Sequence, residues 1–268
     1  MNYYLHENKW EDIKDYLSEK TTIILPIGSV EQHGKHLPLG TDSILSQDIA
    51  LDLAKETDTL IASPIWYGWA PHHMAYPGTV TLRPETLTQL VEDVLNSLIY
   101  HGFKKIIIVN GHREANLPPL KIALSRVRNR TGAFIGIADP FYINAVAGKE
   151  LSDVKPGGIG HAEELETSVM YHRHPELCSP DKAVNNIPKS HNKYLQHDPN
   201  VFGDKILTAS DVYHYKAVTN NVGVMGDAST ASAEKGEEYQ ERMVNNLVEF
   251  LKYIDTLKIE IRETSLPL

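Results

Sequence analysis

The stretch that decides the fold is residues 84–109, PETLTQLVEDVLNSLIYHGFKKIIIV. Pro84 suits the first position of a helix, and apolar side chains then recur three and four residues apart as far as Leu98, which predicts an amphipathic helix. Gly102 stands where this helix is expected to end, because glycine readily adopts the left-handed conformation of a helix C-cap. The apolar run from Lys104 to Val109 then predicts a buried strand.

Outward from this unit, short apolar runs alternate with longer amphipathic stretches. Strands are predicted at Thr22 to Ile27, Leu60 to Ile65 and Ala133 to Ala138. Helices are predicted from an N-cap at Ser43 through Ala54, and from Leu117 to Asn129 with Pro118 and Pro119 in the first turn. A βαβ series of this kind predicts a three-layer α/β fold, with a central, mostly parallel sheet flanked by helices.

The second half of the chain is less regular. A helix is predicted from about Ala162 to His172, followed by a loop-rich stretch between Pro175 and Val222. A last amphipathic helix is predicted from near Ser232 to Leu257. No repeat or linker interrupts the pattern, so residues 1–268 are expected to form a single domain.

Composition excludes several classes of partner. The formal net charge is -9, so the surface should repel the phosphates of nucleic acids and of anionic membranes. Cys178 is the only cysteine, which excludes an intramolecular disulfide and fits a reducing cytoplasm. The N-terminus resembles no signal peptide, and no apolar run reaches the roughly 18 residues of a membrane span. We therefore expect a soluble, cytoplasmic protein that acts on a small molecule.

The loop after the first predicted strand carries potential metal ligands. Its sequence is EQHGKHLPLGTD, residues 31–42. In an open parallel sheet, ligands bind beyond the carboxyl ends of the strands, where this loop is expected to lie. Glu31 and His33 would point the same way in an extended segment, and Asp42 can return to the same point. Taken alone, a polar loop of this composition is also compatible with a surface turn.

Two further polar clusters lie at the ends of predicted elements, one after a strand and one at the start of the helix predicted from about Ala162. The sequence NGHREAN, residues 110–116, follows the strand that ends at Val109 and should emerge at the same sheet edge, with His112 as a candidate ligand. The sequence HAEELETS, residues 161–168, could add a carboxylate or a proton carrier, although its glutamates also suit a solvated helix face. Imidazole and carboxylate suit zinc, manganese or iron, and paired ions are a recurring device for hydrolysis.

Together, residues 31–42, the Asn110-Gly111-His112 turn and residues 161–168 resemble the creatininase, or creatinine amidohydrolase, family. The resemblance runs from about Thr21 to the terminal helix and includes the segments Pro77-Gly78-Thr79 and Ala231 to Gly236. It implies an α/β fold with a mostly parallel sheet and a centre of two divalent ions per chain. Zinc is favoured over manganese and iron, and a homohexamer is the expected assembly.

The resemblance also implies roles for individual residues. Glu31, Asp42 and His112 would hold one ion, and His33 together with a bridging Asp42 would hold the other. His161 resembles the family histidine that passes a proton to the leaving group.

A glutamate would complete the second ion site, and two positions compete for this role. Glu114 matches the ligand position of creatininase itself, where many relatives have glycine. Glu166 is the other candidate. From the sequence we favour Glu114 as the ligand, with Glu166 coordinating the ion or lying next to its ligands.

Hydroxide held between two ions is expected to attack a carbonyl carbon. The favoured reaction is hydrolysis of a C–N bond in a small cyclic amide or formamide. The alternative is hydrolytic C–C ring opening of a cyclic polyol diketone derived from inositol, such as 3-dehydro-scyllo-inosose. A non-catalytic, metal-containing metabolite-binding protein is a third hypothesis.

The loop of residues 66–76 is expected to line the substrate pocket, where its aromatic side chains could stack a planar ring. The candidate substrate-binding residues are His72, His73, Tyr76 and Arg113. Residues 156–160, PGGIG, precede His161 where creatininase has a tryptophan. This departure argues against creatinine as the substrate.

Overall fold

A computed structural model describes residues 1–153, 160–187 and 211–262. Its central sheet consists of strands β1 (Thr22–Ile27), β2 (Leu60–Ile61), β3 (Lys105–Asn110) and β4 (Phe134–Ala138). All neighbouring strands pair in parallel, in the order β2-β1-β3-β4. The prediction of a mostly parallel central sheet is therefore confirmed.

The α-helices of the described residues are α1 (Trp10–Glu19), α2 (Thr41–Thr57), α3 (Pro84–His101), α4 (Arg113–Thr131), α5 (Pro140–Ile143), α6 (Ala145–Leu151), α7 (Glu164–Arg173), α8 (Val212–Val218) and α9 (Ala233–Asp255). A 3-10 turn spans His72–Ala75. The short strands β5 (Asn185–Asn186) and β6 (Gly226–Asp227) form a separate antiparallel pair.

The two faces of the sheet bury side chains in two separate cores. Ile23 and Leu25 of β1 pack on one side with residues of α3 and α4. Ile24, between them in sequence, packs on the other side with residues of α2, α7 and α9. Successive strand residues point to opposite faces, so a continuous apolar strand needs helices on both sides. The three-layer arrangement is the one expected.

Two boundaries in the first half differ from the prediction. β2 ends at Ile61 rather than Ile65, because Pro64 has no N–H to donate to a neighbouring strand; Ile65 forms only an isolated bridge with Ile27. α2 begins at Thr41, so Ser43 lies inside the helix and is not its cap. The Ser43 hydroxyl donates instead to the backbone carbonyl oxygens of Ser29 and Trp66.

Helix α4 begins four residues earlier than predicted, at Arg113. Pro118 and Pro119 consequently lie in its second turn, where each removes a helical hydrogen bond. Burial compensates for this loss, because Leu120 and Val127 of the same helix are fully enclosed in the core shared with α3. The prediction placed both prolines in a first turn, where the missing N–H groups cost nothing.

The later elements also begin and end slightly differently. Ala162 has a φ of 53°, which a right-handed helix does not allow, so α7 begins after it at Glu164. The last helix ends at Asp255 rather than Leu257. The stretch expected to be loop-rich contains α8 and β5. Its residues 188–210 lie outside the described residues, and so do residues 156–159 of the PGGIG segment.

Strands β1 and β3 end side by side, with Ile27 paired to Asn110. The segments that follow them, residues 28–40 and Gly111–His112, therefore leave the sheet at the same edge. This is the edge at which the sequence predicted a site. Within the described residues, no helix is both long and apolar enough to cross a membrane.

Candidate metal centre and active site

A close backbone approach brings the two strand-end segments together. A Cβ atom at Gly111 would lie only 2.1 Å from the carbonyl oxygen of Asp42, so a side chain there would force the two segments apart. The Asn116 amide adds hydrogen bonds to both neighbouring loops, donating to the carbonyl of Gly28 at 3.0 Å and accepting from the N–H of Trp69 at 2.9 Å. This packing holds His112 beside Asp42.

Glu31, Asp42 and His112 form the first group of potential ligands. His112 Nδ1 lies 3.2 Å from Glu31 Oε2 and 3.2 Å from Asp42 Oδ2. All three side chains are buried, with less than a tenth of their surface exposed. One donor atom from each lies within 4.8 Å of the other two, which is close enough for one cation to bind all three.

His33, His161 and Glu166 form a second such group. His33 Nε2 lies 3.4 Å from Glu166 Oε1 and 3.0 Å from Asp42 Oδ1. The two carboxylate oxygens of Asp42 thus face different groups, Oδ2 toward His112 and Oδ1 toward His33. That is the arrangement of a bridging carboxylate between two cations.

Backbone carbonyl groups set the orientation of each imidazole. His33 Nδ1 lies 3.1 Å from the carbonyl oxygen of Glu31, and His112 Nε2 lies 3.2 Å from that of Trp69. His161 Nε2 lies 2.6 Å from the carbonyl oxygen of Gln32. A nitrogen that faces a carbonyl oxygen carries a proton, so the other nitrogen of His33 and of His112, which faces the carboxylates, is the one that could coordinate a cation.

Carboxylate oxygens without a hydrogen-bond partner indicate whether the site suits cations. Within the described part of the chain, both carboxylate oxygens of Glu31 and Oδ2 of Asp42 are buried without a hydrogen bond. Burial raises the pKa of Glu31, and the neighbouring His112 opposes that shift. Buried carboxylates are costly without a compensating charge, and imidazole with carboxylate is the donor set that zinc, manganese and iron accept. The residues therefore fit divalent cations.

The predicted substrate-binding residues fall into two places. His73 Nε2 lies 3.2 Å from Glu31 Oε1, inside the cluster, and the His72 ring contacts that of His73, with centroids 4.3 Å apart. Tyr76 lies beside them, its hydroxyl 2.6 Å from the Thr219 hydroxyl. Arg113 instead pairs with Asp139, with Nε to Oδ2 at 3.4 Å, and its guanidinium lies 4.3 Å from the ring centroid of Tyr142.

Glu114, the remaining predicted ligand, lies in the first turn of α4. The position of its side chain is outside what the structure describes. Of the two candidates for the second site, Glu166 is the one with a described contact: its Oε1 lies 3.4 Å from His33 Nε2.

The tryptophans of the pocket loop do not lie in the ligand cluster. Trp69 packs against the core shared by α3 and α4, and Trp66 is half exposed near Gly40. The Gln32 amide contacts His73, and the ring of Tyr215 contacts both His72 and His73.

Sequence analysis missed Gln32 and Tyr215. Gln32 stands within the EQHG motif, but only the fold brings its amide to His161 and His73. Tyr215 is 183 residues away from Gln32 and lies on α8. Burial and the nearby charge of Glu31 raise the pKa of Tyr215 well above its usual value, so its phenol stays protonated. No local sequence signal marks this residue.

Comparison with known proteins identifies the family. A family model described as creatinine amidohydrolase matches residues 6–251. The chain belongs to the creatininase family. Because the named relatives of this creatininase-family chain are hydrolases, the prediction of a metal-dependent hydrolase is confirmed and the non-catalytic hypothesis is set aside.

The relatives named for this creatininase-family chain act on different substrates. A 3-dehydro-scyllo-inosose hydrolase of Thermotoga maritima is 29% identical over 263 residues, covering 92% of this chain and 84% of the relative. A creatinine amidohydrolase of Pseudomonas putida is 25% identical over 271 residues, covering 93% and 96%. A mutant creatininase of the Zn-Zn type has the same fold, with a TM-score of 0.80, 23% identity and coverage of 96% and 100%.

In this creatininase-family chain, a buried ion pair anchors the helix that carries Glu166. Glu164 is fully buried at the start of α7, and its Oε1 lies 2.5 Å from Lys235 Nζ of α9. Its other oxygen accepts from the Ser152 hydroxyl at 2.5 Å. This pair joins the start of α7 to the start of α9 and so holds in place the helix that carries Glu166.

We expect Lys235→Met to lower the free energy of unfolding by about 2 kcal/mol, because the buried Glu164 carboxylate would lose its countercharge. The value lies below that of a fully enclosed pair, since the Lys235 side chain is 20% exposed. Urea unfolding measures the change, with Lys252→Met on the exposed side of the same helix as control. A double variant Glu164→Gln/Lys235→Met should recover most of the loss; equal loss in the single and double variants would contradict the assignment.

Proposed function

We propose that this creatininase-family hydrolase binds two divalent cations at the sheet edge and uses them to hydrolyse a bond to a carbonyl carbon. The observation that carries the proposal is that both carboxylate oxygens of Glu31 and Oδ2 of Asp42 are buried without a hydrogen bond among the described residues, while imidazole nitrogens lie beside them. Glu31, Asp42 and His112 would hold one cation. His33, the bridging Asp42 and a glutamate would hold the other.

Divalent cations at this place would lower the pKa of a water molecule toward about 7 and polarise the substrate carbonyl. The protein's own residues do the remaining work. The carbonyl oxygens of Glu31, Trp69 and Gln32 hold the three imidazoles in one orientation. Burial, followed by the charge of His33, lowers the pKa of His161, so this imidazole is neutral and Nδ1 is the nitrogen at which it takes up a proton for the leaving group.

We propose Glu166 as the glutamate of the second position. Its Oε1 faces His33, and its Oε2 accepts from the N–H of Ala162 at 2.8 Å, which fixes the carboxylate. The sequence resemblance favours Glu114, and the described contacts favour Glu166. Zinc is the proposed metal, supported by the Zn-Zn type of one structural relative.

We further propose that the chain acts as a single domain, in the cytoplasm, within a homohexamer. The free thiol of Cys178 is compatible with a reducing compartment. The hexamer rests on the family resemblance alone, and light scattering tests it.

The first candidate reaction is hydrolysis of a C–N bond in a small cyclic amide or formamide. The relative that acts on a cyclic amide, creatinine amidohydrolase, is matched over nearly its whole length. A C–N bond breaks only if the departing nitrogen receives a proton. His161 is placed to supply it, because its Nδ1 lies inside the cluster, 3.7 Å from Glu31 Oε1.

A second candidate is hydrolytic C–C ring opening of a cyclic polyol ketone. The observation that favours it is the position of His72 and Tyr215 beside the cluster, where they offer an imidazole and a phenol hydroxyl. Such groups suit hydroxyl-bearing rings better than planar apolar ones. The inosose hydrolase among the relatives supports the same reading.

Metal content and a substrate panel test the proposed function together. We expect about two zinc ions per chain by elemental analysis, and hydrolysis of at least one of creatinine, hydantoin, N-methylformamide and 3-dehydro-scyllo-inosose. His33→Ala should reduce the metal toward one per chain and abolish hydrolysis, since it removes a ligand. The exposed His101→Ala is the control and should change neither quantity. Full activity after chelation would overturn the metal mechanism.

The second-site glutamate has its own test. We expect Glu166→Gln to lower the metal content to about one per chain, because a neutral amide binds a cation far less well than a carboxylate. Glu114→Gln should retain two. The reverse pattern would assign the ligand to Glu114.

A further inference from the structure

Tyr215 brings a phenol hydroxyl into the centre from a distant part of the chain. Its helix, α8, lies against the 3-10 turn of His72 and His73, and the Tyr215 ring centroid is 4.7 Å from the first imidazole and 4.6 Å from the second. Only 3% of Tyr215 is exposed. A hydroxyl placed this deeply needs a hydrogen-bonding role.

The amide of Gln32 has one orientation only. Its Oε1 accepts from the N–H of Gly34 at 3.0 Å, and its Nε2 donates to the carbonyl oxygen of Gly223 at 2.9 Å. Nε2 therefore has one more hydrogen, which faces Tyr215 Oη at 3.2 Å and His73 Nδ1 at 3.3 Å. His161 Nε2 does not compete for it, because that nitrogen already donates to the carbonyl oxygen of Gln32 at 2.6 Å.

An amide –NH2 donates and cannot accept, and the contact with Tyr215 is the shorter of the two, so the phenol oxygen is the acceptor toward Gln32. The phenol proton is then free to be donated elsewhere. Among residues 1–153, 160–187 and 211–262, none accepts it: the hydroxyl of neighbouring Tyr76 is paired with Thr219. A buried donor without an acceptor is costly, and a substrate oxygen would remove that cost.

We propose that Tyr215 binds the substrate, with its phenol O–H donating a hydrogen bond to the oxygen of the carbonyl group under attack. This inference rests on the proposed function. The hydrogen bond strengthens as negative charge develops on that oxygen, so it contributes mainly to kcat. Gln32 acts as the positioning residue, because its amide sets the direction of the phenol proton.

The test is Tyr215→Phe, which removes the hydroxyl and keeps the ring that contacts His72 and His73. Gln32 Nε2 keeps its bond to Gly223, so the variant should fold with its melting temperature within about 2 °C of wild type and an unchanged metal content. The matched control is Tyr213→Phe, on the same helix with its side chain 84% exposed. Both are assayed with whichever of creatinine, hydantoin, N-methylformamide and 3-dehydro-scyllo-inosose the wild type hydrolyses fastest.

We expect Tyr215→Phe to lower kcat/KM by about 10- to 100-fold, chiefly through kcat, while Tyr213→Phe matches the wild type. A kcat/KM within twofold of wild type would overturn the assignment. So would a parallel fall in metal content and melting temperature, which indicates a structural role. A wild type that has no bound metal and hydrolyses none of the probes would overturn the proposed function itself, and the substrate role of Tyr215 with it.

Discussion

The constraint on which the centre depends is the burial of two carboxylates, Glu31 and Asp42, beside each other at one sheet edge. Carboxylates so placed repel each other and lose their hydration, and the neighbouring imidazoles offset part of that free-energy cost. His112 faces both, His33 faces the second oxygen of Asp42, and the donor set fits divalent cations. The parallel sheet makes this possible, because it ends two neighbouring strands at the same level.

The surrounding structure holds the cluster rigidly. The absence of a side chain at Gly111 lets the turn after β3 touch the start of α2, and backbone carbonyl oxygens orient three imidazoles. The Glu164–Lys235 pair holds α7 against α9. Ligands and proton carriers gain from such preorganisation because little reorientation is needed when the substrate arrives.

Much of the fold could be predicted from local sequence, and the exceptions have local causes. β1 and α3 lie where periodicity and the flanking Pro84 and Gly102 indicate, because those signals act on neighbouring residues. The start of α4 was wrong, since buried packing of Leu120 and Val127 outweighs the two hydrogen bonds that its prolines remove. β2 was too long in the prediction because Pro64 ends its pairing with β1.

The sequence by itself determined the candidate ligand types, their order along the chain and the sheet edge at which Glu31, His33, Asp42 and His112 meet. These follow from the position of polar motifs after strands, which is a local property. Only the tertiary structure decided that Glu166 faces His33 and that Gln32 and Tyr215 stand at His73 and His161. Those contacts join residues between 41 and 183 positions apart, and side-chain packing between helices and loops, rather than any local pattern, sets them.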